Sequence, residues 1–182
     1  MMINDDIYLM RIHKKNTPFA YNLFMKNIYI SFPLFFVLLG ILHFTFYFPV
    51  NAGDSPQRVQ ISLISTEGKI HKFHVELAIS EKQKEVGLMF RKELASDAGM
   101  LFIWNSESHR QFWMKNTHIS LDIMFIDADK RVVHIEKNAP IGSEKIIPSI
   151  LPVQYVLEIK AGQSELRNIT PGAILSEKNL LN

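Results

Sequence analysis

The chain has 182 residues, a formal net charge of +2 at pH 7 and no cysteine. That length accommodates one domain with an appendage. The lack of cysteine excludes disulfides, zinc-thiolate sites, iron–sulfur clusters and cysteine nucleophiles, so the stability of the domain must come from its core.

One segment is apolar enough to cross a membrane. Residues 28–48 contain no Asp, Glu, Lys or Arg, and at about 1.5 Å per residue they are long enough to span a bilayer. Four basic and two acidic residues precede this segment, whereas 16 basic and 16 acidic residues follow from position 54 onward. The positive-inside bias therefore predicts a cytoplasmic leader over 1–27, with the rest of the chain exported across the cytoplasmic membrane. The neutral C-terminal part lacks the basic patch that nucleic-acid binding needs.

The fate of the leader has two alternatives. Val50-Asn51-Ala52 offers small side chains at the positions that a signal peptidase recognises, and Gly53 follows. A leader of 27 residues is unusually long, but a start at Met25 would give a short positive n-region. We therefore expect 28–52 to be either a cleaved signal peptide or a retained membrane anchor, with the domain periplasmic or membrane-anchored.

The first elements after a polar linker over 53–58 form a predicted hairpin. Strands over 59–65 and 70–79 flank a turn in which Gly68 supplies a positive φ. Ser80 and Gln83 match a capping box, which predicts a helix from 81 to about 90. We expect that helix to bury Val86, Met89 and Phe90.

The remaining chain is rich in short strands. They are predicted over 100–104, 111–115, 121–126, 131–136, 154–160 and 173–176, with one helical turn over 164–168. The segment 137–152 is interrupted by three prolines and a glycine, which predicts a loop that covers a site. With a short tail over 177–182, the pattern indicates a mainly β domain over 59–176, behind an N-terminal hydrophobic helix. Its predicted form is an antiparallel sandwich or partly closed barrel with one short helix.

The strand over 121–126 contains a carboxylate among apolar neighbours. Alternation places Asp122 on one face with Met124 and Ile126, and such a carboxylate costs several kcal/mol unless it is paired or hydrogen-bonded. Asp122 is therefore predicted to have a cationic or hydrogen-donating partner.

Polar residues elsewhere in the chain complete a candidate site around this carboxylate. The set comprises Arg91, Trp113, Lys115, Asn116, Thr117, Asp122 and Glu158. It forms either a structural network, in which Arg91 or Lys115 neutralises Asp122, or a pocket for an anionic or hydroxylated ligand. Strand parity predicts partial exposure of Trp113, because Phe112 and Met114 occupy the inward face.

Ordered motifs carry a family resemblance. They are Gly87-Leu88-Met89-Phe90-Arg91, Gly99-Met100-Leu101-Phe102, Phe112-Trp113-Met114-Lys115-Asn116-Thr117, Leu121-Asp122-Ile123-Met124-Phe125, Tyr155-Val156-Leu157-Glu158 and Ala161-Gly162. The chain resembles the domain of unknown function 192 family, also called uncharacterised protein family 0127. The resemblance implies a compact, mostly β domain, often behind a signal peptide in bacteria, and no established activity.

Three functional hypotheses follow. The first is a domain that binds a small ligand or an envelope partner near the candidate site, with 137–152 as a lid. The second is a hydrolase acting on envelope material, in which Asp122 works with Lys115 or Glu158. The third is Cu(I) binding by methionines with nearby histidines, although methionine at strand spacing is more often core. No cofactor, catalytic residue or metal ligand is assigned, and membrane contact is expected through 28–48 if it is uncleaved.

Overall fold

The computed structural model describes residues 55–176, which form nine strands and two short helices. The strands are β1 (Arg58–Ile64), β2 (Ile70–Ala78), β3 (Ala98–Ser108), β4 (Gln111–Phe112), β5 (Leu121–Ile126), β6 (Val132–Ala139), β7 (Ile147–Pro148), β8 (Val153–Lys160) and β9 (Ile174–Ser176). The helices are α1 (Glu81–Val86), between β2 and β3, and α2 (Gln163–Leu166), between β8 and β9.

Seven strands form one curled sheet in the order β6-β5-β8-β3-β2-β1-β9, and β4 pairs with β7 separately. All pairings are antiparallel except the parallel pairing of β2 with β3, which the α1 crossover connects. The two outer strands of the large sheet approach each other at one end. There the Val132 amide donates to the Ala173 carbonyl, and the Gly172 amide donates to the Val132 carbonyl, both at 2.8 Å. The predicted mainly β fold is confirmed, in its partly closed barrel form.

The curled sheet separates two apolar clusters. The inner core receives side chains from all seven strands, including Phe73 of β2 and Leu157 of β8. The outer core lies on the other face, where Leu88 and Phe112 from the connecting segments cover β3, β5 and β8. The predicted alternation of β5 is confirmed, because Leu121, Ile123 and Phe125 belong to the outer core, and Met124 and Ile126 to the inner core.

The predicted hairpin and capping box are both present. β1 pairs with β2 around Gly68, whose φ is +81°. The Ser80 hydroxyl accepts from the Gln83 amide, and the Gln83 side chain accepts from the Ser80 amide. The predicted end of the helix at about 90 is wrong, because α1 ends at Val86 and Gly87 adopts a positive φ.

The predicted burial around this helix is also wrong in part. Val86 and Phe90 are 41% and 64% exposed, whereas Leu88 is the residue that enters the outer core. The turn at Gly87 breaks the 3.6-residue repeat, so the side chains after it no longer follow the face of the helix.

Three other boundaries differ from those predicted. The strand expected over 111–115 shortens to β4, because Met114 donates its amide to the loop carbonyl of Ser143. The segment 137–152 is more regular than predicted, since β6 continues to Ala139 and β7 lies within it. The helical turn expected over 164–168 is the short helix α2.

Within residues 55–176, no helix is long and apolar enough to cross a membrane. The predicted leader, membrane segment and tail lie outside the described residues.

Candidate functional site

Asp122 is fully buried and holds three neutral donors. Its Oδ1 accepts from the Asn138 amide at 3.0 Å. Its Oδ2 accepts from the amide of Ser164 at 2.9 Å and from the hydroxyl of Ser164 at 2.7 Å. The predicted hydrogen-donating partner is therefore present, and the carboxylate joins β5, the end of β6 and the first turn of α2.

The cations proposed to neutralise Asp122 lie elsewhere, so that part of the structural hypothesis is wrong. Arg91 donates to Glu76 on β2, and Arg58 donates to the other oxygen of the same carboxylate at 3.1 Å. The Lys115 ammonium lies 3.6 Å from a carboxylate oxygen of Glu144. These ion pairs could not be predicted from the sequence, because each one joins two segments that only the fold brings together.

Glu158 is almost completely buried, on the opposite face of the sheet from Asp122. In register, Glu158 pairs with Ile123, whereas Asp122 pairs with Ile159. Because adjacent positions of a strand point to opposite faces, the two carboxylates cannot flank one substrate bond. The structure does not bring together the carboxylate pair on which the hydrolase alternative depended.

The predicted exposure pattern of the segment after β4 is confirmed. Phe112 and Met114 are fully buried, while Trp113 is half-buried and carries the Lys115 ammonium 5.1 Å from its ring centroid. A cation over an aromatic face at this distance is stabilising. Trp113 and Lys115 thus form a shared surface feature.

Asn116 and Thr117 form the turn that follows. Asn116 is exposed, has a φ of +56°, and accepts the Phe90 amide on its carbonyl oxygen at 2.8 Å. Thr117 is 2% exposed and accepts the Gly142 amide on its carbonyl oxygen at 3.1 Å. The turn therefore connects the α1 region to the loop predicted to cover the site.

A groove opens between edge strand β6 and the segment 140–150, with a volume of about 450 Å³. We call it the outer groove. It is lined by His134, Glu136, Pro140, Ser143, Lys145, Ile146, Ile147, Pro148 and Ile150. Ligand sites of proteins fall in this size range and combine mostly apolar walls with a few polar groups.

The apolar wall of the outer groove is held in place by buried contacts. Ile147 is 7% exposed and pairs with Phe112 between β7 and β4. Ser149 is fully buried, accepts the Arg110 amide at 3.0 Å and donates its hydroxyl to the Leu151 carbonyl at 2.6 Å. Between Ser149 and Leu151, Ile150 is 60% exposed with a φ of +59°. A left-handed conformation is costly for a β-branched residue and often marks a functional site.

The opposite wall is polar and belongs to β6. The His134 ring stacks on Phe125, with centroids 5.7 Å apart, and its Nε2 lies 4.0 Å from a carboxylate oxygen of Glu136. Both side chains are partly exposed, at 30% and 42%. Lys145 contributes a cation from the other side of the groove.

The methionines proposed for Cu(I) are Met89, Met100, Met114 and Met124, and they do not all lie on one side of the sheet. Met100 and Met114 are buried in the outer core, whereas Met124 is buried in the inner core on the other side of the sheet. Among residues 55–176, no group of three or more His, Asp or Glu side chains could hold a metal ion.

The outer groove was missed in the sequence, apart from the proposal of a cover over 137–152. Nothing in the sequence indicated its polar wall, since His134 and Glu136 lie in an ordinary alternating strand. Its apolar wall gave a weak one, because isoleucines between prolines cannot all be buried by a regular strand. Four of the nine exposed large apolar side chains in the described residues lie between 141 and 151.

Comparisons with known proteins bear on the family and the fold. The solved structures that the chain matches include a candidate transcription regulator from Sinorhizobium meliloti and a protein of unknown function from Novosphingobium aromaticivorans. The first is 41% identical with a TM-score of 0.66, covering 67% of this chain and 95% of the other. The second is 38% identical with a TM-score of 0.64, covering 70% and 89%. A search of curated proteins found no match.

The family model named DUF192, described as an uncharacterized ACR, matches residues 62–176. This match includes the ordered motifs of the sequence and every strand from β2 to β9. The chain therefore belongs to the DUF192 family, whose function is uncharacterised.

Proposed function

We propose that this domain binds an extended, apolar segment of a partner protein in the outer groove. The observation that carries the proposal is the position of the groove beside an incompletely paired strand. β6 pairs with β5 on one side, and beyond Val132 no strand within residues 55–176 pairs with its other side. An extended peptide can add to such an edge through main-chain hydrogen bonds, with pockets selecting alternate side chains.

The side chains of the groove suit such a ligand. Ile146 and Ile150 are 41% and 60% exposed, so they offer apolar area that a partner would remove from water. Lys145, Glu136 and His134 provide polar contacts that would fix the direction of the peptide. The anchored backbone at Ser149 reduces the entropy lost on binding, because the wall is already ordered.

The position of Asp122 supports binding over hydrolysis. A hydrolase that uses this carboxylate needs it open to solvent, whereas Asp122 is fully buried and occupied by three donors. The segment that carries Trp113 and Lys115 adjoins the groove instead, because the Met114 amide donates to the carbonyl of Ser143, which lines it.

We also propose that the domain acts outside the cytoplasm, where it binds envelope proteins. The charge asymmetry around 28–48 supports export, with cleavage near Ala52 or retention as an anchor as the two alternatives. The description of the Sinorhizobium meliloti protein as a candidate transcription regulator does not transfer easily. The balance of 16 basic and 16 acidic residues from position 54 onward argues against DNA binding.

A displayed library of random peptides, panned against the full chain, tests the binding proposal. Selected peptides should be rich in alternating apolar residues, and Ile150→Glu should weaken their binding at least tenfold, measured by calorimetry. Ile70→Glu is the matched control, since Ile70 is 61% exposed and lies on β2, outside the groove lining. Equal affinities for the two variants, or no enrichment over scrambled sequences, would contradict the proposal.

A further inference from the structure

A second exposed apolar surface lies around helix α1, apart from the outer groove. Ile79, Val86 and Phe90 are 55%, 41% and 64% exposed, although the sequence spacing predicted that Val86 and Phe90 would be buried. We call these three side chains the α1 surface. Together with the four exposed apolar residues at 141–151, they account for most of the large apolar side chains that residues 55–176 leave in water.

Backbone contacts hold the α1 surface in place. The Ile79 amide donates to the side chain of Gln83 at 2.9 Å, and Val86 lies three residues after Gln83 on the helix, so the Gln83 side chain neighbours both positions. Phe90 has a left-handed conformation, with a φ of +62°, and its backbone amide donates a hydrogen bond to the Asn116 carbonyl. A bulky residue in this conformation is uncommon, and its exposed ring contributes little to the fold.

The chain enters the domain at the same end of β2. The Leu77 amide donates to the Gln57 carbonyl at 2.8 Å, and Arg58 pairs with Glu76 in register. Ile79 follows two residues after Leu77, so it lies at this end. Residues 49–57 separate the predicted membrane segment from β1, and a linker of that length spans at most about 30 Å.

We propose that the α1 surface rests on the lipid bilayer while segment 28–48 is still attached. The tether keeps this end of the domain close to the membrane, so a weak apolar contact becomes intramolecular and is favoured by a high effective concentration. Partly inserted aromatic and aliphatic side chains are the usual means by which such surfaces bind at the interface.

Lipid charge should matter little for this contact. The exposed charges beside the α1 surface are of both signs, with Glu81, Glu85 and Glu93 against Lys82 and Lys92. Without a basic excess, the negative potential of an anionic bilayer gives no net attraction. The proposed partner is therefore the apolar boundary of the bilayer and not its head groups.

The absence of cysteine from the chain makes a clean test available. A single spin label is attached to Phe90→Cys in the full chain, which is reconstituted in phosphatidylcholine vesicles. We expect the label to collide more with oxygen than with a water-soluble nickel complex, as labels in the bilayer do. Adding anionic lipid should leave this ratio unchanged.

Ile70→Cys is the matched control, because Ile70 is 61% exposed and lies at the other end of β2, about 30 Å away at 3.3 Å per residue. That label should remain in water, and Val86→Cys should repeat the result of position 90. Aqueous values at 90 and 86 would overturn the proposal. So would spin–spin broadening at 90, which would show that a second copy covers the surface. Neither result depends on the outer groove, so the proposed function is tested separately.

Discussion

At the scale of single residues, Ile150 combines conformational strain with exposure. Its φ of +59° lies in the left-handed region, where a residue with a Cβ loses about 1–2 kcal/mol, and its side chain is 60% exposed. Natural proteins keep such conformations where function requires them. We therefore expect that a substitution of Ile150 can raise the stability of the domain and at the same time weaken peptide binding.

Ile150→Asn should raise the free energy of unfolding by about 1 kcal/mol, because asparagine tolerates the left-handed conformation and little burial is lost. The same change should weaken the binding of groove peptides. Urea unfolding and calorimetry measure the two effects. Ile146→Asn is the control, since Ile146 lines the same groove without a positive φ and should give no gain in stability. A destabilised Ile150→Asn protein would contradict the prediction.

His71 gives the domain a defined pH dependence. Burial lowers the pKa of His71 below its ordinary value of 6.5, and the nearby cations Lys69 and Arg167 lower it further. The unfolded chain therefore binds a proton more readily than the folded domain, so the free energy of unfolding should fall as the pH drops below about 6.5.

Urea midpoints at pH 7.5 and 5.5 measure this effect of His71. His71→Gln removes the titrating group, so the loss of stability between the two pH values should shrink in that variant. An undiminished loss would assign the pH dependence to other groups.

At the scale of elements, Asp122 connects three of them. Its carboxylate accepts from Asn138 at the end of β6 and from Ser164 in α2, while its own strand lies inside the sheet. Three hydrogen-bond donors are sufficient to compensate for the burial of this carboxylate without a cation, because hydrogen bonds to a carboxylate are stronger than those between neutral groups. The group is a structural connection between the sheet and α2.

Asp122→Asn should cost about 2–3 kcal/mol, because the amide directs a donor at donors and leaves one of them unsatisfied. Ser164→Ala removes only the hydroxyl bond and should cost about 1 kcal/mol. Chemical unfolding of both variants provides the comparison, and peptide binding by the folded Ser164→Ala protein should be unchanged. An Asp122→Asn protein with native stability and impaired binding would instead place Asp122 in a site.

At the scale of the whole molecule, the partly closed barrel explains where binding surfaces remain. The start of β6 forms backbone hydrogen bonds with the residues before β9. The rest of β6 is therefore the part of this sheet edge that a partner strand could pair with. Two exposed apolar surfaces then flank a domain whose inner and outer cores are otherwise well covered.

The proposed export of the chain is also tested on the whole molecule. The mature protein isolated from cells should begin at Gly53 if the leader is cleaved, because Val50 and Ala52 meet the requirements of a signal peptidase. N-terminal sequencing measures this directly. A mature chain that begins at Met1 or Met2 would exclude cleavage and leave 28–48 as an anchor.

The sequence by itself determined the family, the mainly β class and most strands. Strand alternation, the Ser80–Gln83 capping box and the turn at Gly68 depend on neighbours within a few residues, so they can be recognised locally. Strand alternation also predicted that Asp122 needs a hydrogen-bond donor and that Trp113 is partly exposed, and both predictions are confirmed.

Only the tertiary structure decided the identity of the partners. Ser164 lies 42 residues from Asp122, and Glu76 lies 15 residues from Arg91. Which of several donors reaches a carboxylate depends on sheet order and register, and a shift of one residue would place the carboxylate on the other face. The outer groove arises in the same way, because neither His134 nor Ile150 has a meaning for binding until β6 and the 140–150 segment are brought side by side.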